Sequence, residues 1–224
     1  MRLEKASSKA IKYACMNFHY AKAVPNVGLA YNVFNNMNDW CGVVCFGIGA
    51  TNNIGSPYGL SQGQVIELVR MALNGKQEST TKAMSIAMNL VKKDAPNVQL
   101  IVSYADSEQG HFGTIYQATN WIYTGFSKDT NLIVNGKREH RRTLGSRFGT
   151  CSADAIRKKG YEVEIYRTLP KWKYIYPLDK SLIRLCKSLS KPYPKKQQYA
   201  AEVLPVAQQT SSQQEGFDST LPLK

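Results

Sequence analysis

Residues 64–105 alternate strand, helix and strand, and this alternation limits the fold more than any other feature of the chain. Gln64 to Leu73 (QVIELVRMAL) is an apolar run holding Glu67 and Arg70, and reads as a strand. The segment after it, NGKQESTTK, breaks the run with Gly75 and a string of polar residues. Ser79, Thr80 or Thr81 is placed to cap a helix reaching about Lys93, because Ala83, Ile86, Ala87, Leu90 and Val91 keep helical spacing. Asn97 to Ala105 is again an apolar strand. Such an order demands a sheet with helix crossovers.

The flanks agree. Tyr31–Phe34 and Trp40–Gly47 read as strands across the turn Asn35–Asp39, followed by a Gly, Asn, Ser and Pro-rich loop over Gly49–Gly63. Thr114–Trp121 reads as a helix with Tyr116 and Asn120 on one face, and Tyr123–Ser127 as a strand. The expected fold class is α/β, a sheet with helix crossovers. Residues 1–14 read as a basic amphipathic lead-in, and Asn17–Pro25 as a loop or short helix ending at proline. Further on, Asn131–Val134 and Lys137–Thr143 flank Asn135-Gly136, a strong hairpin signal. Ser152 or Asp154 starts a helix stopped by Gly160. Glu162–Thr168 and Lys171–Tyr176 suggest a second hairpin across Leu169-Pro170, with a short helix over 178–189. The expected organisation is a core over 1–126, a basic hairpin and helix extension over 127–189 that completes the domain, and a disordered tail over 190–224.

Charge is unevenly placed. Of a net +13, residues 127–196 hold eighteen Lys/Arg against six Asp/Glu, whereas residues 1–126 hold ten against seven. A concentrated basic region points to a polyanionic partner, most simply nucleic acid. No run of about 18 apolar residues is present, so no membrane span is expected. No export signal is legible either. The five cysteines are scattered without a CxxC pair, which speaks against a disulfide framework or zinc ribbon and for reduced thiols.

Chemistry-bearing residues gather at the end of the strand Leu100–Ala105, where Ser103, Tyr104, Asp106 and His111 precede the Tyr116 helix. Ligands of open α/β sheets bind beyond the carboxyl ends of strands. Ser103 lacks a GxSxG elbow, so serine hydrolase chemistry is not expected. Cys15 and His19 are four apart, but a buried inert thiol is the commoner arrangement. His19, Asp106 and His111 are the ligand types of non-heme iron, without supporting spacing. The turn before the helix at Ser79, Thr80, Thr81 and Lys82 suits either a phosphate or an ordinary helix cap, with no Walker A or GxGxxG pattern. Glu67 and Arg70 are three apart on a strand, so they should face opposite sides, one of them facing a site.

The phrases ELVRMAL, SYAD and IYQATNWIYTG in this element order resemble the GNAT acyltransferase fold, which implies a mixed, strongly twisted α/β sheet with flanking helices. The segments NFHYAKAVP, CGVVCFGIGATNNIGSPYGL, GQVIELVRMALNGKQ, VSYADSEQGHFGTIYQATNWIYTG, NGKREHRRTLGSRFGT and KYIYPLDK resemble the phage Mom-like proteins, from about Tyr13 to Lys196. That resemblance implies a transferase that adds a methylcarbamoyl (acetamido) group to N6 of adenine in phage DNA, masking it from host restriction. It implies catalytic roles for His19, Tyr20, Arg70, Asp106 and Tyr116, with Ser79, Thr80, Thr81 and Lys82 where acyl-CoA enzymes grip pyrophosphate. NGKQESTTKA departs from the usual GNAT loop, which counts against acetyl-CoA as donor. So does the product, in which N6 joins a CH₂ rather than a carbonyl carbon. A metal, iron held by His19 and Asp106, or a glycyl-type donor would fill that gap.

Adenine N6 is paired in duplex DNA, so the base must be flipped. Lys137, Arg138, Arg141, Arg142 and Arg147 suit the backbone grip, and Trp40, Trp121 and Tyr123 are candidates for stacking, although core packing is the commoner role. The implied setting is the host cytoplasm, with a homodimer left open. The alternatives are a GNAT-like N-acetyltransferase using acetyl-CoA on protein or small amines, and a non-enzymatic nucleic-acid-binding protein.

Overall fold

A computed structural model describes residues 1–49, 51, 53–127, 130–139, 141–167, 169 and 171–195, except the side chains of Thr130, Arg141, Arg142 and Arg167. The chain divides into Met1–Lys191 and Pro192–Lys224, and nearly all of the second lies outside the described residues, as does most of the tail expected over 190–224.

The lead-in is an edge strand, β1 (Arg2–Lys5), followed by a helix, α1 (Ser8–Phe18), capped by the Ser7 side chain. Then come β2 (Leu29–Phe34), β3 (Trp40–Gly47), β4 (Val65–Leu73), α2 (Thr80–Asp94), β5 (Leu100–Asp106), α3 (Thr114–Gln117) and β6 (Ile122–Ser127). Next are β7 (Thr130–Val134), β8 (Lys137–Glu139), α4 (Arg141–Phe148), α5 (Ala153–Arg157), β9 (Val163–Arg167), β10 (Lys171–Pro177) and α6 (Ile183–Ser188). Seven strands form one sheet in the order β1-β2-β3-β4-β5-β10-β6, while β8-β7-β9 form a second. Every neighbouring pair in the large sheet is antiparallel except β4 and β5, which are joined through α2. This is the mixed α/β sheet with flanking helices that the sequence led us to expect.

Apolar side chains cover both faces. Ala14 and Cys15 of α1 pack on Ala30, Val43, Cys45 and Ala72. On the other face Tyr31, next to Ala30 and so pointing the opposite way, hydrogen-bonds Asp94 at the end of α2 (3.2 Å). Ala83, Met84, Ala87, Met88 and Val91 of α2 are buried. Gly42 is required where β3 crowds β4, because a Cβ there would meet the Ala72 carbonyl oxygen at 2.0 Å.

Three expectations change. The second hairpin does not form, because β9 pairs with β7 and β10 inserts between β5 and β6 of the large sheet. A strand already paired on both edges has no backbone groups left for β9. The Tyr116 helix is a single turn. Asn120 adopts φ +60° beyond its end, so Tyr116 and Asn120 do not share a helix face. Finally, Lys137–Thr143 is not one strand, since α4 begins at Arg141. Leu132, Val134, Leu144, Phe148, Ile156 and Val163 give the inserted β7–β9 unit a core of its own.

Candidate active site

The parallel pairing of β4 and β5 ends after Glu67 opposite Val102, and beyond it the strands splay. A cleft of about 920 Å³ opens there. His19, Tyr20, Arg70, Asp106 and Tyr116, predicted from four separate segments, all line it. Glu67, Tyr104, His111, Phe112 and Lys171 join them.

Glu67 and Arg70 both face the cleft because β4 carries a bulge. Cys45 pairs with Arg70 but Phe46 with Leu68, so Val69 is an extra residue. One extra residue shifts the alternation and brings positions three apart onto one side. The expectation of opposite faces is corrected for that reason. Arg70 Nε is buried without a hydrogen-bond partner, a donor suited to a ligand acceptor.

Asp106 ends β5 and is held on both oxygens. The Tyr20 hydroxyl donates to Oδ2 (3.1 Å) and the Glu108 amide to Oδ1 (3.1 Å). Burial, and then the Asp106 carboxylate, push the Tyr20 phenol up to about 12. His19 stacks on Tyr20 with ring centres 4.2 Å apart, and His111 lies edge-on to Tyr20 at 5.8 Å. Burial, then the Arg70 and His111 charges, lower His19 to about 4, so it is neutral at pH 7. Its Nδ1 accepts the Ala21 amide hydrogen (3.1 Å), which leaves the ring proton on Nε2.

That arrangement does not fit an iron held by His19 and Asp106. His19 would have to give up the Ala21 amide hydrogen bond on Nδ1, or lose its Nε2 proton to Nδ1, before either ring nitrogen could ligate, whereas Asp106 keeps a second lone pair on each oxygen. Among the described residues no group of three or more His, Cys, Asp or Glu is placed to hold a metal.

Tyr116 enters from the α3 side. Gly113, at φ +76°, precedes it, and a Cβ there would strike the Tyr174 ring at 2.3 Å. The Tyr116 ring lies 5.0 Å from Tyr174 and 5.1 Å from Trp121, and its hydroxyl is 2.7 Å from Ser103 Oγ. Burial raises its pKa.

Other predicted residues lie elsewhere. Ser79 caps α2 through the Lys82 amide (3.1 Å) and contacts the Thr81 hydroxyl. Thr81 and Lys82 border a separate groove of about 420 Å³ with Asn89, Asn120 and Tyr176, while Thr80 accepts a hydrogen bond from Gln77. Lys137 is exposed near the β7–β8 turn. Arg138 pairs with Glu108 (3.6 Å) and lies over the Tyr166 ring, and Arg147 pairs with the buried Glu139 (2.7 Å). The side chains of Arg141 and Arg142 are outside the described ones. Trp121 and Tyr123 are buried, and Trp40 packs with Tyr13 and Phe18. Cys15 is buried beside Cys45, and burial raises both thiols. Glu67 and Ser103 were visible as polar residues within apolar strands, but local sequence carries no mark of the bulge or the splay.

The chain is similar to solved N-acetyltransferases. Spermidine/spermine N-acetyltransferase SpeG from Vibrio cholerae matches with TM-score 0.44 and 10% identity, covering 82% of this chain and 95% of that one. A Bacillus subtilis acetyltransferase in complex with CoA matches with TM-score 0.40 and 12% identity, covering 80% and 99%. Among curated proteins, the methylcarbamoylase mom of Escherichia phage Mu is 27% identical over 203 residues, covering 87% of this chain and 84% of that protein. The model of the Mom protein family matches residues 1–195, a span that holds the whole cleft, and the chain therefore belongs to the Mom protein family.

Proposed function

We propose that this protein is a phage DNA-modification transferase that adds a methylcarbamoyl group to N6 of adenine, acting in the host cytoplasm. One observation carries the reading: in a chain of the Mom family, the five residues implied as catalytic converge on a single cleft. Arg70 offers its unpartnered Nε to a carbonyl or anionic group of the donor. Glu67, Asp106 and the two phenols supply acceptors and hydroxyls for an exocyclic amine. The target adenine reaches them by leaving the duplex, which costs a few kcal/mol of unstacking.

The group donor is an acyl-type or glycyl-type carrier. Its phosphates, if present, lie toward Thr81 and Lys82 at the start of α2. Lys137, Arg141 and Arg142 provide the backbone grip, whereas Arg138 and Arg147 are paired with Glu108 and Glu139. Arg141→Gln with Arg142→Gln weakens DNA binding and reduces its dependence on salt, and equal binding at low and high salt overturns that assignment.

Co-expression with a plasmid followed by nucleoside mass spectrometry tests the activity. An adenosine heavier by one C₂H₃NO unit supports it, and unmodified adenosine from folded protein rejects it. The splay between β4 and β5 also favours a second reading, an N-acetyltransferase using acetyl-CoA. That reading requires acetyl-CoA binding and no adduct on DNA.

A further inference from the structure

We propose that Ser103 is a positioning residue that fixes the Tyr116 hydroxyl so that its oxygen presents only lone pairs to the cleft. The inference rests on reading the cleft as the active site. Glu67 and Val102 are the last paired residues of β4 and β5, so Leu68 and Ser103 are the first to lose each other as ladder partners. Ser103 is fully buried there. Its hydroxyl donates to the Leu68 carbonyl oxygen (2.8 Å), in place of the backbone bond that the splay removes.

Proton accounting then sets the next bond. A serine hydroxyl has one hydrogen, and a carbonyl can only accept. With that hydrogen spent on Leu68, Ser103 can only accept from the Tyr116 hydroxyl at 2.7 Å. The hydrogens therefore run from Tyr116 to Ser103 to Leu68. The flanking rings of Tyr174 and Trp121 hold the phenol in place. What remains on the Tyr116 oxygen is acceptor capacity, so the substrate group it meets is a hydrogen-bond donor. In the proposed reaction that group is the N–H of the amine being modified. Tyr116 then selects a substrate nitrogen that still bears hydrogen.

A double-mutant cycle tests this, using Ser103→Ala, Tyr116→Phe and the pair, with Ser103→Thr as the conservative replacement and thermal melting as the check on folding. Ser103→Ala should lower kcat by about 10- to 100-fold through loss of orientation. The pair should lose no more than Tyr116→Phe alone, and Ser103→Thr should restore most of the rate. Losses that multiply in the pair overturn the proposal, because a merely structural serine acts independently of Tyr116. A second readout needs no activity. The Tyr116 hydroxyl proton should exchange slowly in NMR spectra of the wild-type protein and of Ser103→Thr, and vanish in Ser103→Ala. Its persistence in Ser103→Ala also overturns the proposal. Wild-type protein that leaves adenine unmodified defeats the DNA-modification reading, while the NMR result still decides the role of Ser103.

Discussion

The cleft between β4 and β5 and the inserted β7–β9 unit treat their charged residues in opposite ways. In the cleft, few charges are present, and they arrive from distant segments: Glu67 and Arg70 from β4, Asp106 from β5, Lys171 from β10. In the insert, charge is dense in sequence, yet much of it is already engaged. Arg147 is bound to Glu139, Arg138 to Glu108, and Arg157 to Asp154 and the Val163 carbonyl. Charge density along a chain therefore does not measure the charge a fold leaves available to a partner. The Arg138–Glu108 pair also ties the insert to the loop that follows Asp106.

Substitutions should separate the two regions. The largest effect belongs to the cleft: Asp106→Asn or Arg70→Ala should lower the modification rate by about 10²- to 10⁴-fold, with melting temperature close to wild type. A comparable loss from Lys137→Gln under saturating DNA would erase the distinction. Next, Arg147→Ala leaves the Glu139 carboxylate, 6% exposed, without its partner. Because the arginine is half exposed, the cost is discounted to about 2 kcal/mol, read from denaturant midpoints. Adding Glu139→Gln should recover part of it, and an unchanged midpoint in Arg147→Ala would place Arg147 among the free cations. Third, Lys137→Gln should reduce the slope of log affinity against log salt by about one, equally for all DNA sequences.

The smallest effect is the pH response of His19. Its folded pKa, about 4, lies below the ordinary 6.5, so between these values the unfolded chain holds a proton that the folded chain does not. The neutral His19 contribution to stability is thus complete above about pH 6.5 and is lost as pH falls toward 4. An NMR titration should find the His19 ring unprotonated at pH 5.5. A ring that titrates near 6.5 would mean that burial and the Arg70 charge do not govern it.

Much of this molecule is written locally. The strand, helix and strand of residues 64–105 appear within a few residues of their expected bounds, since helical spacing and the Ser79 cap act over three or four residues. The Asn135-Gly136 turn forms with positive φ at both residues, as its side chains favour. The extent of the Tyr116 helix was not legible, because Gly113 and Asn120 bound it through positive φ angles, Gly113 where the chain crowds the Tyr174 ring.

The sequence by itself determined the element order from β2 to β6, the concentration of basic residues past 126 and the identities of the groups that carry chemistry. Tertiary structure alone decided which of them meet. The bulge at Val69 that turns Glu67 and Arg70 to one side depends on pairing with β3, more than twenty residues earlier. The place of β10 between β5 and β6 depends on strands about fifty and seventy residues away. The hydrogen bonds of Ser103 exist only because β4 has parted from β5 at that step. Helix spacing and turn preference are energies of neighbouring residues, whereas bulges, splays and strand insertion are settled by backbone hydrogen bonds to distant partners.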